Sequence, residues 1–105
     1  MTPEQELFTS TGQAIEGATL GQLFGKPCFK TNGKAFVCFF ENEMVFKLTG
    51  DNHSDALSLD GSKLFDPSGK GRAMKEWVQV PSEYKGSWEK FALSANAYVG
   101  QTKKA

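Results

Sequence analysis

The sequence predicts a single α+β domain over residues 1–105, with a core at about 3–99 and the order α-β(3)-α-β(2)-α around a five-stranded antiparallel sheet. Three observations predict it. Apolar residues recur at helical spacing near both ends of the chain. Asn32-Gly33 stands between two β-prone runs, the strongest short signal for a hairpin. A third strand pattern, Met74 to Val80, stops at Pro81 and is followed by helical spacing.

The elements follow in order. Thr2 is placed to cap a first helix, Pro3 suits its first turn, and Gln5 stands where a capping box puts Glu or Gln. Leu7, Phe8, Ala14, Ile15 and Ala18, with Thr11 between them, form one helical stripe, and Gly17 and Gly21 mark its end. Cys28 to Thr31, Lys34 to Phe40 and Val45 to Thr49 read as a meander of three strands, with Asn32-Gly33 and Glu41-Asn42-Glu43 as turns. Asp51 to Leu59 reads as a short helix capped by Asp51 or Asn52, with Ala56, Leu57 and Leu59 facing inward. Lys63-Leu64-Phe65 is a short strand, and Asp66 to Arg72 a polar loop. Met74 to Val80 sets Met74, Glu76, Val78 and Val80 against Lys75, Trp77 and Gln79. Ser82 is expected to cap a last helix, which presents Trp88, Phe91, Ala92, Ala95, Tyr98 and Val99.

With two-residue turns at Asn32-Gly33 and Asn42-Glu43, Phe29 pairs with Phe36, Cys28 with Val37, and Phe40 with Val45. One face then holds Phe29, Phe36, Cys38, Phe40, Val45 and Lys47; the other holds Cys28, Ala35, Val37, Phe39, Phe46 and Leu48. Both faces are largely apolar, whereas a sheet with one wet face alternates. A second copy of the chain is therefore expected to supply cover. Phe29, Phe36 and Phe40 are the expected interface, and Phe36→Asp is expected to lower the oligomer mass without unfolding the domain. This register separates Cys28 from Cys38, and both read as small core thiols.

Composition narrows the function classes. Phenylalanine occurs nine times, six of them from Phe24 to Phe46 inclusive, so an aromatic core is centred there. Twelve basic and twelve acidic side chains cancel, which counts against a strong nucleic-acid binder. Two cysteines are too few for a disulfide scaffold. No apolar run approaches the roughly 18–20 residues of a membrane span. The N-terminus MTPEQELF lacks the shape of a signal peptide, so the expected location is cytoplasmic, with no membrane partner.

No Ser-His-Asp, Cys-His or paired-carboxylate arrangement stands out, and no catalytic residue is assigned. The sole histidine, His53, has no ligand partners at metal spacing and reads as an exposed helix-start residue; no metal or cofactor is expected. The loop Asp66-Pro67-Ser68-Gly69-Lys70-Gly71-Arg72 could present glycine amides, Lys70 and Arg72 to an anion, though it lacks Walker spacing, and a polar turn accounts for the same residues. Lys26, Lys30, Lys34, Lys63, Lys70, Arg72 and Lys75 are candidates to share a surface with Trp77, where phosphates and bases bind in other proteins. Glu41, Glu43, Asp60 and Asp66 are expected nearby and would blunt its field.

The run Phe24-Gly25-Lys26-Pro27-Cys28-Phe29-Lys30, then Asn32-Gly33-Lys34-Ala35-Phe36, resembles the opening of the TfoX/Sxy N-terminal domain. The YjbR/MmcQ-like proteins share its general shape. Met74-Lys75-Glu76-Trp77-Val78-Gln79-Val80-Pro81 before a final helix resembles that family's close, and the likeness covers about residues 7–99. It implies a secretion-chaperone-like order of helix, three strands, helix, two strands and helix. It also implies a link to regulation of natural competence, and for the YjbR group a DNA-binding label. The family supplies no established catalytic set.

The expected function is thus a non-enzymatic binding or regulatory domain of TfoX N-terminal type. It would act through protein–protein contacts, as a homodimer or with another protein. One alternative is a weak nucleic-acid binder using Lys30, Lys70, Arg72, Lys75 and Trp77. The other is an anion or small-molecule receptor at the 66–72 loop.

Overall fold

The computed structural model describes residues 2–23, 25–66, 71 and 74–102, the last two by their backbone alone. Its elements are α1 (Pro3–Gln13), β1 (Ala18–Leu23), β2 (Lys26–Thr31), β3 (Lys34–Phe40), β4 (Glu43–Lys47), α2 (Gly50–Ser58), β5 (Lys63–Phe65), β6 (Met74–Val80), a 3-10 turn (Ser82–Ser87) and α3 (Trp88–Thr102). The architecture is α+β, with one antiparallel sheet in the order β1-β2-β3-β4-β6-β5. The sheet has six strands where the sequence predicts five.

The extra strand is β1. α1 starts as expected, with the Thr2 hydroxyl accepting from the Gln5 amide at 3.1 Å and Pro3 in the first turn. It stops at Gln13 rather than running to Ala18. Gly17, at φ 85°, turns the chain, and Ala18–Leu23 pairs with β2 along its whole length. α2 begins at Gly50, one residue before the expected cap, and Thr49 takes the capping position without a side-chain bond. Ser82 opens the 3-10 turn instead of capping α3, which starts six residues later.

The hairpin registers set the faces. Asn32 and Gly33 both have positive φ, and Thr31 pairs with Lys34 and Lys30 with Ala35, as a two-residue turn requires. A bulge then shifts the ladder, so that Phe29 meets Val37 and Cys28 meets Cys38. A shift of one residue exchanges faces. Phe29 therefore joins Phe36, Val37, Phe39, Met44 and Phe46 in the main core, and Cys28 joins Cys38 on the other side. The expected separation of the two cysteines is overturned; they are direct cross-strand neighbours, both reduced and buried. The β3–β4 turn centres on Glu41-Asn42, at φ 52° and 66°, so Phe40 pairs with Glu43 and Cys38 with Val45. That differs from the expected register by two residues, which leaves faces unchanged.

All three helices lie on one face. α3 packs on β3 and β4, α1 on β1, and α2 on β6. The core between them holds Phe8, Phe29, Phe36, Phe46, Trp88, Phe91, Ala92, Ala95 and Val99. The opposite face carries a cluster built from strands alone: Cys28, Cys38, Val45, Phe65 and Trp77, flanked by Leu23, Ala35, Phe40 and Met74. Phe40 and Phe65 meet edge to face at 5.1 Å. Their strands are three steps apart, which in a flat sheet is about 14 Å. The sheet thus curls toward its helix-free side, and the small residues Cys28, Cys38 and Val45 fill the inside of the curl. This self-coiling covers the second apolar face within one chain.

Candidate functional site

The structure separates the three phenylalanines expected at an interface. Phe29 and Phe36 are 2% and 0% exposed beneath the helices. Phe29 packs against Phe8 at 5.2 Å. Phe40 lies on the other face, half-buried, with the Lys26 ammonium 5.3 Å from its ring centre. No single surface presents all three.

The candidate binding residues are divided in a similar way. Trp77 points away from Val78 and Val80 as expected, but it is buried in the strand-only cluster and offers no open ring for stacking. Lys30 lies on that same face, its stem running across Gly21. Lys75 is exposed at the start of β6. Its carbonyl accepts a bond from His53 Nε2 at 2.7 Å, so His53 is half-buried and ties α2 to the sheet rather than standing free. Lys70 and Arg72 lie outside the described residues. Within the same loop the Gly71 amide donates to Asp66 Oδ2 at 2.8 Å, so a carboxylate of the chain already occupies a donor that an anion would need.

Strand pairing places Lys26, Lys30 and Lys63 on the helix-free face. None of the three has a carboxylate within ion-pair distance among the described residues. Glu43 shares the face, but its carboxylate accepts from the Gln79 amide at 2.7 Å. Lys47–Glu76 and Lys85–Glu4 form loose, partly exposed ion pairs, at 3.9 and 3.8 Å; such pairs add little stability. A neutral chain thus sorts its charges, with lysines framing one side of the sheet.

The thiols inside that frame are chemically quiet. Burial pushes Cys38 up to about 12, and the neighbouring Cys28 adds to the effect. Burial also raises Cys28, partly offset by the Lys30 ammonium. Both stay protonated at neutral pH, the opposite of an activated nucleophile. No group of three or more His, Cys, Asp or Glu that could hold a metal occurs among the described residues. No helix among them is long and apolar enough to cross a membrane.

The sequence does not announce β1, nor the open sheet edge that comes with it. β1 forms one edge of the sheet and β5 the other. β5 is three residues long and carries Lys63, a guarded edge. β1 is six residues, Ala-Thr-Leu-Gly-Gln-Leu, with no charge and no proline, paired to β2 without a bulge. Its outer side is free among the described residues. Leu20 is 64% exposed, and an open depression of about 460 Å³ lies beside it, lined by Leu20, Gly21, Gln22 and Pro27. The signal that could have revealed this edge is the pair Gly17 and Gly21, which fits a turn and a strand as well as a helix end.

Comparison of the chain with protein-family models, with curated proteins and with solved structures finds no match.

Proposed function

We propose that this chain is a non-enzymatic binding domain of TfoX N-terminal type that works through contacts with protein chains, adding an extended strand to β1. The observation that carries the reading is the regular, uncharged edge of β1 with Leu20 standing out of it. An edge strand offers a row of unpaired amides and carbonyls as a template for another chain, and folded proteins usually blunt it with charge, proline or a bulge. β1 has none of these. The quiet thiols and the structural His53 fit a binding role.

Short extended peptides arrayed on a surface test this directly, with the protein kept dilute. The wild type should retain a subset rich in β-branched residues, and Leu20→Lys should weaken that binding about tenfold, or ~1.4 kcal/mol. Equal binding by wild type and variant would rule out the β1 edge.

A second reading rests on the lysine placement. Lys26, Lys30 and Lys63, with the exposed Lys75 as a fourth contact, would meet the phosphates of a nucleic acid, without base stacking because Trp77 is buried. Four phosphate contacts give a salt slope of about −3.6, so affinity for a DNA duplex should fall roughly 100-fold between ~50 and ~200 mM salt. Lys26→Gln with Lys30→Gln should halve the slope. No duplex binding at the lower salt would dispose of this reading.

A further inference from the structure

We infer that the strand which docks on β1 is β1 of a second copy, in a two-fold antiparallel pairing centred on Leu20. The inference rests on the strand-addition reading above and names its partner.

Geometry restricts how two identical edges can join. An antiparallel pair related by a two-fold axis must have that axis normal to the sheet. The axis must also pass between a residue and its own copy, because any other register puts symmetry-related side chains on opposite faces. Within β1 the central choices are Leu20 and Gly21. Centring on Leu20 sets Leu20 against Leu20, Thr19 against Gly21, and Ala18 against Gln22.

This register buries what the monomer leaves exposed. Among the described residues Leu20 is one of two large apolar side chains that stand open, the other being Leu93 on α3. Leu20 points to the helix side, opposite Phe29, yet α1 does not cover it. The depression formed with Gly21, Gln22 and Pro27 lies where the second copy's Leu20 would enter. On the opposite side Thr19 and Gly21 are small enough to let the two backbones approach.

Charge also favours a second copy. A strand without charged residues meets no like-charge repulsion when it faces itself. The chain as a whole is neutral, so two copies approach without net repulsion. Glu16, just before β1, would lie near the second copy's β1–β2 turn, which leads into Lys26. The result is a continuous twelve-stranded sheet with all helices on one side. One six-residue edge makes a small interface, at the weak end of the known range. The association is therefore reversible and concentration-dependent.

Sedimentation and light scattering of the intact chain between ~10 µM and ~1 mM span the expected micromolar-to-millimolar Kd. The mass should rise from 11.5 kDa toward twice that value, unchanged by salt, and Leu20→Lys should hold it at the monomer. The register has its own probe. Leu20→Cys should form an intermolecular disulfide rapidly under mild oxidation, because directly opposed residues of an antiparallel pair fall in the Cα range of about 4.4–6.8 Å that a disulfide needs. Leu93→Cys, half exposed on α3, is the control for chance collision and should link slowly.

A monomer at the highest concentration overturns the inference, as does equal cross-linking at the two positions. A monomer that still captures peptides through β1 would sink only the second copy as partner. A monomer that captures none would sink strand addition as well.

Discussion

Phe36→Asp should leave the chain unfolded rather than merely smaller in solution. Phe36 is 0% exposed in the core between sheet and helices. Removing a buried phenylalanine side chain costs about 3–5 kcal/mol through lost transfer energy and the cavity left behind. An aspartate at that site adds several kcal/mol more, or takes up a proton to avoid ionising there. Domains of this size have about 5–15 kcal/mol in total. Far-UV circular dichroism and thermal melting of the variant check this. The outcome that contradicts it is a cooperative melt near the wild-type temperature, which would place Phe36 outside the core and restore it as an interface residue. Phe40, on the opposite face and half-buried, provides the comparison. Phe40→Asp should cost less, since that ring can turn its edge toward solvent.

The contrast between these two residues shows where the sequence was legible. The Asn32-Gly33 turn is a local matter: both residues accept positive φ, and the chain reverses there as read. The bulge that follows is not local. It arises because Phe29, Phe36 and Val37 all find room under α1 and α3, and no residue type in the run announces it. One unannounced residue is enough to exchange Phe29 with Cys28 between faces. The β3–β4 turn misled for a different reason. Glutamate seldom adopts φ near 52°, so the sequence favours Asn42 as the first turn residue, yet Glu41 takes that place. The cost was small because the resulting difference is two residues.

β1 was hidden by composition. Ala-Thr-Leu-Gly-Gln-Leu holds one β-branched residue and no aromatic, so its own preference for a strand is weak. Ala14, Ile15 and Ala18 continue the spacing of α1 and invite a longer helix. Pairing with β2 at all six positions decides the matter, and that is a tertiary interaction. The candidate site followed the same division. The lysines of the sheet and the inward Trp77 could be named, but their common face and the ring's burial depend on registers the chain does not advertise. The open edge could not be named before its strand was known.

Gly12→Ala should destabilise the domain, although alanine is the better helix former by about 1 kcal/mol. Gly12 is buried in α1, in the last turn. A Cβ at that position would overlap ring carbons Cδ2, Cε2 and Cζ of Phe29. The neighbour is not the loose end of a flexible chain. Phe29 is 2% exposed and wedged against Phe8. Relief therefore requires α1 to lift from the sheet or the ring to leave its rotamer. Overpacking of this kind costs about 1–3 kcal/mol and occasionally more, and the direct overlap puts this site at the upper end. Net of helix propensity, a loss of about 2 kcal/mol lowers the melting temperature by roughly 8–16 °C in a domain of this size. Urea unfolding of Gly12→Ala, Phe29→Leu and the double variant separates the causes. If the overlap dominates, the leucine partly rescues the alanine, and the coupling between the two sites exceeds ~0.5 kcal/mol. Additive losses would mean that α1 sits farther from β2 than the contact requires, and that Gly12 is present for some other reason.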